Sequence, residues 1–93
     1  MVVGVLHIQF SLPSANNLKD KRRLLTSLLD RLHNRFNVAA AEVDQQDSWR
    51  RAGVAVACVS SEGRHANQIL SRVMAEVERE NEMIVLGYEI EVR

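Results

Sequence analysis

The chain has 93 residues, of which 46% are hydrophobic and 26% charged, a composition that makes a single globular domain and excludes a disordered chain. Its formal charge is zero, which argues against strong non-specific attraction to nucleic acid. One cysteine, Cys58 in an apolar run, excludes an internal disulfide and reads as a buried, inert thiol, and the absence of a leader-like start or a long apolar span reads as cytoplasmic without membrane insertion.

Residues 2–12 alternate. Gly4, Leu6, Ile8, Phe10 and Leu12 face one way, and Val3, Val5, His7, Gln9 and Ser11 the other, which predicts a strand with one well-buried face. Pro13 removes a donor and ends it. Asn17, three residues before Asp20, predicts a helix start with a variant capping box. Leu18, Leu25, Leu28, Leu29, Leu32 and Phe36 then form an apolar stripe, and the helix is expected to end in the Asn34–Asn37 region. Val38 to Val43 reads as a second strand. Ala39, Ala41 and Val43 are assigned to its core face and Glu42 and Asp44 to its outer face, although the alanines discriminate weakly. Residues 45–51 form the connection. Gly53 to Ser60 is a small-apolar run of the kind found in central strands covered on both faces. Ser60 or Ser61 is expected to cap a second helix with the stripe Ala66, Ile69, Leu70, Val73, Met74 and Val77. A last strand runs from about Met83 to Val92.

The order β-α-β-β-α-β predicts an α+β, ferredoxin-like sandwich: an antiparallel four-stranded sheet with two helices on one face, strands one and three central. The other face would carry Val3, Val5 and His7 with Ala55 and Ala57, a candidate homodimer surface. The last strand offers a second route, by edge-to-edge pairing, which its Glu89 and Glu91 are equally able to oppose.

The runs LKDKRRLL, DRLHNRFNVAAAEVDQQDSWRRAGVAVACVS and HANQILSRV resemble the YlxP-like family of small uncharacterised bacterial proteins. The most specific part is RFNV followed by AEVD-x-QD-x-W-x-RA, Arg35 to Ala52. Here Asn17 stands for the family's usual capping serine, Asp20 for a glutamate, and Gln45 for a common histidine. The resemblance implies a ferredoxin-like fold. It also implies a ribosome- or RNA-associated role, because genes of this family often lie beside those for translation initiation and ribosome maturation factors. That implication is one of association only.

Charge is unevenly spread: residues 1–37 sum to +4 and residues 60–93 to −3. Lys19, Lys21, Arg22 and Arg23 at the helix start, with Arg50 and Arg51, are candidate phosphate contacts. They oppose the helix dipole, a small local cost that hints at a use outside folding. The same stems also serve as cover for the leucine stripe, and helical geometry divides them between two flanks. Trp49, the only tryptophan, lies in the connection. It either folds back to pin the hairpin through its indole N–H or anchors a partner. The acids beside it, Glu42, Asp44 and Asp47, are expected to pair with Arg50, Arg51 or Arg35. Their spacing does not match a calcium loop, so no metal site is expected. His7, His33 and His65 are dispersed, and no nucleophile, Walker or dinucleotide motif accompanies them. The expectation is a non-enzymatic protein without cofactor that contacts a ribosomal subunit or structured RNA. The alternative is a dimeric interaction or ligand-sensing domain that uses its open sheet face.

Overall fold

β1 (Val2–Ser11) alternates as its sequence does. Gly4, Leu6, Ile8 and Phe10 are buried, while Val3, Val5, His7 and Gln9 are half-buried on the opposite side. In the computed structural model, which describes residues 1–93, the strand is followed by α1 (Leu18–Arg35), β2 (Ala39–Asp44), β3 (Arg51–Ser60), α2 (Gly63–Val77) and β4 (Ile84–Val92). All strand pairs are antiparallel, in the order β2-β3-β1-β4. The architecture is therefore the expected ferredoxin-like α+β arrangement with β1 and β3 at the centre.

One aliphatic core joins the helices to the sheet. Leu6, Ile8 and Phe10 of β1 and Val54 and Val56 of β3 meet Leu28 and Leu32 of α1 and Leu70, Val73 and Val77 of α2, all fully buried. Each such side chain contributes about 1.5–3 kcal/mol when removed from water. Gly4 lets α2 approach β1 closely, since a Cβ there would lie 3.0 Å from Leu70 Cδ1 and 3.2 Å from Ala66 Cβ. Two arginines of α1 then reach α2. Arg35 Nη1 donates to Glu76 Oε1 at 2.8 Å, and Arg31 donates to Glu80.

The start of α1 is built as its sequence suggests. Asn17 Oδ1 accepts from the Asp20 N–H at 2.8 Å, and Asp20 Oδ2 accepts from the Asn16 N–H at 3.0 Å. The reciprocal bond thus reaches one residue further back than a standard capping box. α1 closes at Phe36, whose N–H donates to Leu32 O.

Four expectations need correction. α2 has Glu62, and not Ser60 or Ser61, at its N-cap position, with no side-chain cap; Ser60 Oγ accepts from the Glu62 N–H ahead of the helix and contacts His65 Nδ1. β3 is covered on one face only: Ala55 and Ala57 are half-buried and Val59 is 66% exposed. It also begins at Arg51, so the connection is residues 45–50. On β2, Ala40 and Glu42 turn toward the helices while Ala39, Ala41 and Val43 are exposed, the reverse of the assignment made from alternation. Small side chains carry too little hydrophobic contrast to fix a strand's facing, and a buried partner for Glu42 decides it.

A bulge between Glu42 and Asp44, both set against consecutive residues Val54 and Gly53, then returns Asp44 to the open face. Gly53 permits this, since a Cβ there would meet Asp44 Cβ at 2.5 Å.

Replacing Asn17 by Ala is expected to lower stability by about 1 kcal/mol, as loss of an N-cap does. Urea unfolding followed by circular dichroism measures it, and an unchanged midpoint would contradict the role given to this side chain.

Candidate nucleic-acid interface

The apolar stripe of α1 has an unexpected first member. Lys21 stands four residues before Leu25 and seven before Leu28, and it is buried with only 2% of its surface exposed. Its Nζ donates to Gln45 O at 2.6 Å and to Ser48 O at 2.5 Å, and it lies 2.7 Å from Glu42 Oε2. Two carbonyls thus accept from the ammonium group, and the Glu42 carboxylate balances its charge as an ion pair without a hydrogen bond of its own. The two carbonyls belong to the β2–β3 loop, so Lys21 ties that loop to the first turns of α1. Further bonds hold it in shape. The Ser48 N–H donates to Gln45 O, the Arg50 N–H to Ser48 Oγ, and the Leu12 N–H to Arg50 O.

Lys21 is therefore not a phosphate contact. Its charge is spent inside the protein, and the expectation that it lines a binding surface is withdrawn. The sequence held the relevant signal, for Lys21 falls on the axis of the leucine stripe and not on its flank. Leu18, placed in the stripe by its helical spacing, is 39% exposed instead, because it lies at the first position of the helix.

Gln45 has φ 63°, in the left-handed region that non-glycine residues seldom occupy. Histidine is among the residues that tolerate this backbone best.

The fixed loop carries Trp49, which is 45% exposed. Its indole N–H is not part of the loop's hydrogen bonding, which runs through backbone carbonyls, Lys21 and Ser48. A lysine does the pinning that the tryptophan was a candidate for. Asp47, Ser48, Trp49 and Arg50 line a shallow hollow of about 320 Å³ beside the ring.

Lys19, Arg22 and Arg23 are exposed on the outer side of α1, and Arg50 is exposed on the loop. Arg51 opens β3, where the buried neighbour Ala52 faces the helices, so Arg51 projects from the opposite sheet face. None of these five forms an ion pair; the pairs that exist are His7–Asp44, Lys21–Glu42, Arg31 and Arg35 with Glu76, Arg31 with Glu80, and Arg93–Glu91. The acids near the tryptophan accordingly do not pair with Arg50, Arg51 or Arg35. Glu42 serves Lys21, and Asp44 serves His7. Asp47 stays exposed on the loop.

The contact between His7 and Asp44 was invisible to sequence reasoning because 37 residues separate them. His7 Nε2 and Asp44 Oδ2 are 2.7 Å apart, and Gln9 Nε2 donates weakly to the same oxygen at 3.4 Å. The pair sits on the open sheet face in a hollow of about 530 Å³, whose lining includes Val5, Ala55 and Glu89. Val3 and Val5 remain half-buried on that face. No helix is long and apolar enough to cross a membrane.

Removing the Lys21 ammonium leaves Ser48 O without this donor, the Glu42 carboxylate without its cation, and Gln45 O with the Ser48 N–H alone. Lys21→Met is expected to cost about 3 kcal/mol, the scale for breaking a buried ion pair on one side. It should also loosen the loop, so that iodide quenches Trp49 more strongly while the far-ultraviolet circular dichroism is retained. Equal quenching and equal stability would contradict the arrangement.

Comparison with known proteins gives a consistent answer. Residues 3–90 match the model of a family described as "Protein of unknown function (DUF503)". The chain is also similar to "Uncharacterized protein YlxP" of Bacillus subtilis (strain 168), at 35% identity over 74 residues, which covers 80% of each chain. The motifs around α1 and the tryptophan loop thus carry a real relationship, and this chain belongs to the DUF503 family, to which it is matched over nearly its whole length.

Proposed function

We propose that the protein is a non-enzymatic, RNA-binding accessory factor whose partner is a ribosomal subunit or another structured RNA. The contact surface is the rim formed by the start of α1 and the β2–β3 loop. The observation that carries this reading is a half-exposed indole on a loop held by an internal ammonium group, with unpaired cations at the same end of the molecule. A loop held in place beforehand loses little freedom on binding, and stacking on one base is worth about 1–3 kcal/mol. Lys19, Arg22, Arg23 and Arg50 supply phosphate contacts, and Arg51 extends them around the sheet edge. The gene neighbourhood that the YlxP-like resemblance implies points the same way. The central strands present Val, His, Gln and Ala on the open face, without the aromatics on which RNA-recognition motifs stack bases.

A second reading rests on the hollow at His7 and Asp44. With Glu89 also at its margin, and Glu91 there already paired with Arg93, it would suit a small hydrogen-bonding ligand, which would make the open face a sensing surface.

Binding to ribosomal subunits and to a structured RNA, followed by filter retention across a salt series, tests the first reading. Five phosphate contacts predict a slope of log K against log salt of about −3.5, by the single-strand rule. Trp49→Ala should weaken binding about tenfold. Arg22→Ala or Arg50→Ala should flatten the slope by about 0.7 each. No binding at low salt, or binding that is indifferent to both Trp49 and the cations, would overturn it.

A further inference from the structure

The acidic sum of residues 60–93 conceals a line of free cations. Glu76 and Glu80 are taken by Arg31 and Arg35 of α1, and Glu91 by Arg93. Arg64, Arg72 and Arg79 remain, all exposed and all outside the ion pairs and side-chain hydrogen bonds of the fold.

Their placement follows from the helix. α2 buries Ala66, Leu70, Val73, Met74 and Val77. At 3.6 residues per turn, Arg64, Gln68 and Arg72 fall opposite that stripe, within about 80° of arc. Arg79 follows in the closing turn, where its N–H donates to Glu76 O at 3.2 Å. The line is about 20 Å long at 1.5 Å per residue. α2 begins at the Ser60 end of the sheet and runs back toward the Ser11–Arg51 end, where the tryptophan rim lies. The three arginines therefore lead up to that rim, on the helical layer whose outer side also carries Lys19, Arg22 and Arg23.

Folding gives these arginines no task. Glu76 stands four residues after Arg72 and three before Arg79, spacings at which side chains meet on a helix. Both of its oxygens are turned to α1 instead: Oε1 accepts from Arg35 Nη1 at 2.8 Å, and Oε2 lies 3.6 Å from Arg31 Nε. Glu62 and Glu78 hold the cap positions at the two helix ends. Arg64 stands in a first turn that contains no acidic residue, although the macrodipole there favours one.

We infer that Arg64, Arg72 and Arg79 form a second line of phosphate contacts, which holds the backbone of a duplex segment of the RNA while an adjoining base stacks on Trp49. This rests on the RNA-binding reading of the rim. Charge complementarity selects the occupant, because three unpaired guanidinium groups on one ridge match a chain of phosphates. α2 has no aromatic side chain on which a base could stack, so the line fixes the position of the RNA and does not read its sequence.

Filter binding to a hairpin RNA across a salt series tests the inference, with folding of each variant checked by circular dichroism. The five rim contacts alone give a slope of log K against log salt of about −3.5, and three more steepen it to about −5.6. Arg72→Gln should flatten the slope by about 0.7, and Arg64→Gln, Arg72→Gln and Arg79→Gln together should return it to about −3.5, while Arg72→Lys keeps it. Arg93→Gln removes a cation already paired with Glu91, so it makes the same change in net charge as Arg72→Gln and should leave the slope unchanged. A wild-type slope near −3.5 that depends on Trp49 but not on the α2 arginines overturns this inference and leaves the rim reading standing. Absence of RNA binding removes both. Equal flattening by Arg93→Gln and Arg72→Gln also overturns it, because net charge and not position would then govern binding. So does a triple variant that binds RNA as the wild type does but no longer sediments with phosphatidylglycerol vesicles, which would assign the line to an anionic lipid surface.

Discussion

One desolvated ammonium group organises the end of the molecule that carries the tryptophan. Taking a charged lysine out of water costs several kcal/mol unless its donors are met. Here Gln45 O and Ser48 O accept two of them and the Glu42 carboxylate balances the charge, and all three groups come from β2 and the loop that follows it. The same contact explains why Glu42 turns toward the helices. A bulge is then required to bring Asp44 back to the open face, and Gly53 makes room for it. Facing of the strand, shape of the loop and exposure of Trp49 are consequences of one ion pair and two hydrogen bonds.

Charge bookkeeping along the chain is misleading until the pairs are known. The first 37 residues sum to +4, yet Lys21 is committed to the loop and Arg31 and Arg35 to α2. What remains free on α1 is Lys19, Arg22 and Arg23. The basic surface is thus smaller than the composition suggests, and it lies at the end where the tryptophan is exposed. Glu76 of α2 and Glu80 just beyond it are likewise neutralised by holding the two helices together.

Most of the architecture was legible in the sequence because strong contrast marks it. β1 alternates large apolar with polar or smaller side chains, α2 has a clean stripe, and the order of elements leaves few topologies. The Asn17 cap was readable for the same reason, since a short polar side chain before a leucine has few other uses. β2 was not readable from its alanines, which fit either face of a sheet. Lys21 was misassigned because a cation was presumed to seek solvent, although its spacing from Leu25 and Leu28 placed it on the buried axis. The contact of His7 with Asp44 depends on the spatial order of three strands, and no local pattern encodes it.

The account rests most heavily on the burial of Lys21, and the chain offers an internal control, because its only other lysine is Lys19. Brief acetylation of the native protein followed by peptide mass spectrometry compares the two side chains directly. The account predicts that Lys19 and the N-terminal amine react fast and that Lys21 reacts at rates comparable to Lys19 only after denaturation. Equal labelling of both lysines in the folded protein would contradict it.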